Sequence, residues 1–185
     1  TEMSEVISAI IERDTYDSIL YAVLGGLLLL SIYHLTLFFQ NRDKSYFLYS
    51  SYTFFSFLAY MPVAESGFLY DLSNYFHFDY YSKNLFTIIF NAVYFLFFAH
   101  FLNVQKTSLT FYKIIVIPIY VLIGIAVIGF ILLKTGITKL FFEEFYKAFV
   151  YIITAHTIVS FYILTKVKNN LKYYIIFGGI ILYIC

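Results

Sequence analysis

The chain has 185 residues, with 12 Lys and Arg against 11 Asp and Glu, and a net charge of +1 gives nucleic acid no basic surface to follow. Apolar residues make up 62% and charged residues 12%, about half the charged share of an ordinary soluble domain, so the chain lacks the polar surface to cover itself in water. Cys185 is the single cysteine, which excludes an internal disulfide and a cysteine metal cluster.

A membrane span needs about 20 apolar residues at about 1.5 Å of rise each. Residues Thr1 to Asp17 are polar and acidic, with Val6, Ile7, Ile10 and Ile11 at the spacing of a short amphipathic helix. Residues 1–17 therefore read as a linker on the outer surface, and 18–185 as an all-α transmembrane bundle. Ile19 to Phe39 is the first uncharged run. A polar corner, Gln40 to Ser45, separates it from the second run, Tyr46 to Val63, and the pair reads as a membrane hairpin with a charged tip. The loop Ala64 to Asn84 is dense in Phe and Tyr, which suits a segment resting at the headgroups or capping the bundle. Leu85 to Leu102, Ile114 to Leu133 and Ala148 to Thr165 follow as spans, and Pro118 is expected to bend the fourth. A sixth run, Tyr173 to Cys185, is too short to cross. No signal peptide precedes the spans, and both ends read as cuts in a longer protein.

Lys and Arg set the orientation. One set of loops holds Arg42, Lys44, Lys106, Lys113, Lys166, Lys168 and Lys172 against the single acid Asp43, which marks the cytoplasmic side. The amino end is then outside, and a seventh span would return the carboxyl end to the cytoplasm.

Polar residues inside the spans are the candidates for function. In the second span Tyr46, Ser50, Thr53, Ser56 and Tyr60 fall on one helical face, which reads either as a cavity wall or as a helix contact. In the third, Asn84, Thr87, Asn91 and Tyr94 do the same. Asn91 must face the bundle, because lipid offers its amide no partner. His156 lies near the middle of the fifth span, with His34 and His100 nearer the inner surface. These histidines read as hydrogen-bonded bundle residues, or alternatively as haem ligands or a proton relay. The complete spans hold no acidic residue, which argues against an ion pump. Glu143 and Glu144 are adjacent and read as a solvated loop. Ala22-x-x-x-Gly26 and Gly178-Gly179 are small-residue contact signals. There is no Gly-rich phosphate loop, no His-Glu-x-x-His and no Cys-x-x-Cys, so no catalytic site, metal or cofactor is expected.

Several features stand together in order. They are Gly25-Gly26 followed by Ser31-Ile-Tyr33, the corner Arg42-Asp43-Lys44-Ser-Tyr46 leading into Leu48-Tyr49, Ser66-Gly67-Phe68-Leu-Tyr70 in the outer loop, and Phe98-Ala-His-Phe101-Leu102-Asn-Val. Over residues 18 to 185 the chain resembles the membrane domain of the bacterial seven-transmembrane receptors with diverse intracellular signalling modules. His34 stands where that family is expected to carry Asn after Tyr33. The resemblance implies a multi-pass protein of the bacterial inner membrane. It implies an extracytoplasmic domain before the spans and a histidine kinase, nucleotide cyclase or regulator-like module after them.

The expected function is that of a sensor and coupling segment without enzymatic activity of its own. Its ligand, a small molecule or protein, would act at the outer face, with Ser50, Thr53, Ser56, Asn91, Tyr94 and His156 as candidate interior groups. The bilayer and a cytoplasmic module of the same chain are its partners, a homodimer is left open, and nucleic acid is not a partner. The alternatives are a small-solute carrier using Ser50, Thr53, Asn91 and His156, and a haem protein using His34 and His100.

Overall fold

A computed structural model describes residues 2–135, 139–168 and 170–177. Among them there is no strand. The helices are α1 (Glu2–Asn41), α2 (Lys44–Tyr60), α3 (Gly67–Tyr75), α4 (Tyr80–Phe101), α5 (Val104–Thr107), α6 (Leu109–Lys134) and α7 (Lys139–Lys166). A 3₁₀ turn, Met61–Val63, extends α2, and residues 172–177 are again helical.

Tyr16–Asn41, Tyr80–Phe101, Leu109–Leu133 and Leu140–Lys166 are long and apolar enough to cross a membrane. Helix α2 has 17 residues. That makes about 25 Å of α-helix, to which the 3₁₀ turn adds about 6 Å. The outward surfaces fit lipid rather than water: Val23, Leu29 and Ile32 on α1 and Val121, Ile128 and Ile131 on α6 are all exposed.

The starts of the helices are written in polar residues at the edges of the apolar runs. Arg42 takes a left-handed conformation (φ 57°), and Asp43 then caps α2 by accepting the Ser45 N–H at 2.8 Å. Asp79 caps α4 through the Ser82 N–H, and Ser108 caps α6 through the Phe111 N–H. These caps lie outside the apolar runs, so α4 and α6 begin several residues before the spans they contain.

The short turn at Arg42 and Asp43 makes α1 and α2 antiparallel. Helix α2 packs against α1 and α4, α4 against α6, and α6 against α7, whereas α4 and α7 touch only lightly. Two apolar cores result. The larger joins α4, α6 and α7 around Ile88, Phe98, Ile119, Phe142 and Phe149. The smaller joins α1, α2 and α3 around Leu24, Phe57, Met61 and Leu69. Between α1 and α2, Ser31 and Ser50 form a reciprocal pair. Ser50 Oγ donates to the Ser31 carbonyl (2.8 Å), and Ser31 Oγ to the Ser50 carbonyl (3.0 Å).

Several sequence expectations meet a different outcome. The acidic leader and the first span are one continuous helix, α1. Glu143 and Glu144 belong to α7 rather than to a loop, because the Tyr81 hydroxyl donates to Glu143 (3.0 Å) and Lys147 pairs with Glu144 (2.6 Å). An added Cβ at Gly26 would meet nothing within 4 Å, so the Ala22–Gly26 signal serves no contact among the described residues. Gly178, Gly179 and the rest of the sixth apolar run to Cys185 lie outside the described residues.

Because small hydroxyls let α1 and α2 approach, Ser50→Leu is expected to force them apart and cost roughly 1–3 kcal/mol. Thermal unfolding in detergent checks this. Phe54→Leu, on the exposed side of α2, should change the midpoint much less.

Candidate functional site

The light contact between α4 and α7 leaves a gap, because both lean on α6. It forms a cavity of about 340 Å³, lined in part by Tyr60 of α2. From α4 come Thr87, Phe90, Asn91, Tyr94 and Phe95. From α7 come Tyr146, Phe149, Val150, Ile153, Thr154, Thr157 and Phe161. The lining carries no formal charge. It consists of rings and aliphatic side chains with a few hydroxyls and one carboxamide, the composition of a site for a neutral molecule.

The polar groups are oriented by the helices that carry them. Thr87 Oγ1 donates to the Lys83 carbonyl (2.9 Å), Thr154 Oγ1 to Val150 (2.8 Å) and Thr157 Oγ1 to Ile153 (2.7 Å). Each hydroxyl proton is thus turned back to its own backbone. Asn91 Nδ2 likewise donates to the Thr87 carbonyl at 2.8 Å, and no donor among the described residues meets its Oδ1. The threonines therefore offer the cavity lone pairs, while Asn91 offers both its Oδ1 acceptor and the second hydrogen of its Nδ2. The Tyr94 hydroxyl donates to the Ile175 carbonyl (3.3 Å), which ties the wall of the cavity to the helical stretch 172–177.

Of the residues singled out in the sequence, Tyr60, Thr87, Asn91 and Tyr94 line this cavity. Ser50, Thr53 and Ser56 do not. Ser50 is committed to Ser31, Thr53 bonds the Tyr49 and Ser50 carbonyls, and Ser56 bonds the Tyr52 carbonyl at 2.8 Å. His156 is buried beside Phe95, with ring centroids 4.8 Å apart, and its Nε2 has no hydrogen-bond partner among the described residues. It is not among the residues that line the cavity, although its neighbour Phe95 is. The structure therefore does not gather Ser50, Thr53, Asn91 and His156 along one path.

The remaining histidines have separate environments. His34 Nδ1 bonds the Leu30 carbonyl at 2.8 Å, and its ring lies 4.3 Å from that of Tyr49. His100 Nε2 is 3.9 Å from Asp43. Among the described residues no group of three or more His, Cys, Asp or Glu could hold a metal ion. In the polar corner, Arg42 and Lys44 are exposed, and the half-buried Tyr46 ring lies 6.3 Å from His34. Asp43 is held below its ordinary carboxylate pKa, chiefly by the Ser45 backbone N–H. Desolvation opposes this, while the Ser45 side chain and His100 add to it.

Sequence reading alone did not single out Tyr146, Thr154 and Thr157. Two threonines three residues apart in the fifth run were the available signal. They lacked force because threonine in a membrane helix ordinarily bonds its own backbone, as both do here.

An all-helical chain with several membrane-length helices and an uncharged interior cavity defines a polytopic membrane bundle rather than a soluble domain. Comparison with known families matches residues 16–185 to the domain described as 7TM diverse intracellular signalling, and the chain belongs to that family. Neither the curated proteins nor the solved structures gave a match.

Two outcomes follow from this geometry. Asn91→Leu removes a polar group whose amide bonds only its own helix, so thermal stability in detergent should hold or rise; a marked fall would mean that Asn91 clamps the bundle. Asp43→Ala should cost about 1 kcal/mol at neutral pH through loss of the cap. The folded-state pKa of Asp43 lies below its unfolded value of about 3.9, so its stabilisation is complete above that pH and is lost as pH falls through the folded value. The gap between wild type and variant, followed by denaturation against pH, should close on the acid side.

Proposed function

We propose that this chain is the transmembrane sensor and coupling segment of a bacterial signal-transduction receptor of the inner membrane, relaying an extracytoplasmic signal to a cytoplasmic module of the same protein. The observation that carries the reading is the family match over nearly the whole chain, from residue 16 to 185. The charge distribution supports it. Seven basic residues and one acid gather at the end of the bundle that holds the α1–α2 turn and α5, which makes that end cytoplasmic by the positive-inside rule. The amino end is then outside. With α2 and its 3₁₀ turn counted as a crossing, five spans are complete and residues 172–177 begin a sixth.

In this reading the signal works by choosing between packings of the bundle. The gap between α4 and α7 is the feature that permits two. Helix α4 shares a wall with α2 on one side and α6 on the other, so closing or opening the cavity shifts it relative to both. A signal at the outer loop 64–79 acts on the start of α4 directly. Asn91 and Tyr94 then stand on the moving surface, and Tyr94 passes the motion to the 172–177 helix. No step of bond making is assigned to the segment, and a histidine kinase or cyclase activity would belong to the attached module.

The carrier remains the second reading, because the cavity is roomy and polar enough for a small solute. It ranks lower because only Asn91 of its four proposed path residues lines the cavity.

Topology reporters inserted into the intact protein test the proposal. Insertions between α4 and α6 and after α7 should report the cytoplasm, and those at 135–138 and ahead of α1 the outside. The reverse pattern would sink the receptor reading, since the output side would then face away from the cytoplasm.

A further inference from the structure

Among the described residues Asp17 is the one charged side chain that is buried, at 5% exposure. It stands on α1 two residues before the uncharged run. Ser66 Oγ donates to Asp17 Oδ2 (2.5 Å), and the Glu65 backbone N–H approaches Oδ1 (3.4 Å). One helical turn further, Tyr21 makes two bonds with the same segment. Its hydroxyl donates to the Ser66 carbonyl (2.8 Å) and accepts the Leu69 backbone N–H (2.8 Å). Below it the fully buried Leu24 packs into the core shared with Met61, Ala64 and Leu69. Asp17, Tyr21 and Leu24 are spaced four and three apart, so three successive turns of α1 grip the start of α3 on one face.

The bonding is unusual in what it replaces. Ser66 occupies the N-cap position of α3, yet its side chain makes no cap bond to that helix. Its hydroxyl is turned to Asp17 instead. The amide that an N-cap side chain would ordinarily satisfy, three residues on at Leu69, is taken by Tyr21. The fit is close. Gly67 adopts φ +75°, and a Cβ there would stand 2.7 Å from the Tyr21 hydroxyl oxygen. Helix α3 has only nine residues, too few to persist by its own propensity.

We propose that α3 is a conditional helix whose cap belongs to α1, so that the axial and rotational position of α1 decides whether α3 is folded against the bundle. Each residue of helix is about 1.5 Å of rise and about 100° of turn. A shift of α1 by one residue therefore withdraws the Tyr21 hydroxyl from Leu69 and the Asp17 carboxylate from Ser66 together. Helix α3 leads within a few residues to Asp79, the cap of α4, so its melting frees the start of the helix that walls the cavity. Residues 2–16 continue α1 as one helix beyond the uncharged run, and any force on that extension reaches the joint without an intervening loop. The joint stands without the receptor reading; its service as the point where a signal enters rests on that reading.

Hydrogen exchange on the full-length protein in lipid nanodiscs tests this. Loss of a cap is worth about 1 kcal/mol, so Tyr21→Phe should speed exchange of the α3 amides by about fivefold while the α6 amides and those of α4 beyond its first turn keep their protection. Insertion of one alanine after Ala22 rotates Asp17 and Tyr21 off the segment and should release α3 at least as far. Adding Tyr21→Phe to the insertion should then release it no further, because the bond is already gone. Unchanged α3 protection in Tyr21→Phe would overturn the proposal. So would full additivity of the two changes, or equal loosening of α3, α4 and α6, since each describes a bond that merely holds the bundle together. These readouts need no signalling output, so failure of the joint and failure of the receptor reading are told apart.

Discussion

Inside hydrocarbon every backbone and side-chain polar group has to find its partner within the protein, and this constraint governs nearly everything seen here. It accounts for the all-helical fold, and it also decides the fate of the hydroxyls. Thr36, Ser51, Thr53, Ser56, Thr87, Thr154 and Thr157 each bond a carbonyl three or four residues earlier in their own helix. A row of serines and threonines on one face therefore carries little information about function, because each can be satisfied at home. The exceptions are the informative ones. Ser31 and Ser50 reach across to each other, Tyr94 reaches to Ile175, and Asp17 and Tyr21 reach to the loop.

Much of the architecture was legible in the sequence, since runs of uncharged residues in hydrocarbon have one stable form. The boundaries were not, because they depend on caps and partners that apolar counting ignores. Helix α7 starts at Lys139 rather than near Ala148 because Tyr81 and Lys147 absorb the charge of Glu143 and Glu144, and a contact between α4 and α7 leaves no trace in local composition. The polar face of α2 was visible from its spacing, but whether it lined a cavity or a helix contact was not. That choice turns on which helix lies opposite. Asn91 was conspicuous because a carboxamide is costly in lipid, and it does line the cavity. Asp17 and Tyr21 were hidden for the opposite reason: an acid and a tyrosine at the edge of a span are commonplace, and only the fold brings Ser66 and Leu69 to them.

Helix α4 organises the bundle. It is the wall shared by the two halves, meeting α2 along one face and α6 along another. The smaller core binds α1 and α3 to α2, and the larger binds α6 and α7 to α4. Motion between the halves is consequently motion across the α2–α4 surface, where tilted and edge-on rings meet, such as Tyr52 with Tyr94 and Tyr49 with Phe97. Ring contacts of this kind tolerate sliding better than a hydrogen-bonded seam would, because their energy varies gently with offset.

The unequal lengths of α2 and α6 carry a consequence for the surrounding lipid. Helix α2 has 17 residues and α6 has 26, so they measure about 25 Å and about 39 Å against roughly 30 Å of hydrocarbon. The apolar part of α6, Ile114 to Leu133, spans about 30 Å with its first turn before Lys113 left for the headgroups, whereas α2 reaches that length only with its 3₁₀ turn. A thicker membrane therefore strains α2 first, and a thinner one makes α6 tilt. The relative inclination of the two helices packed against α4 is thus tied to the acyl-chain length of the host membrane, and growth conditions that change that length alter the resting geometry of the bundle.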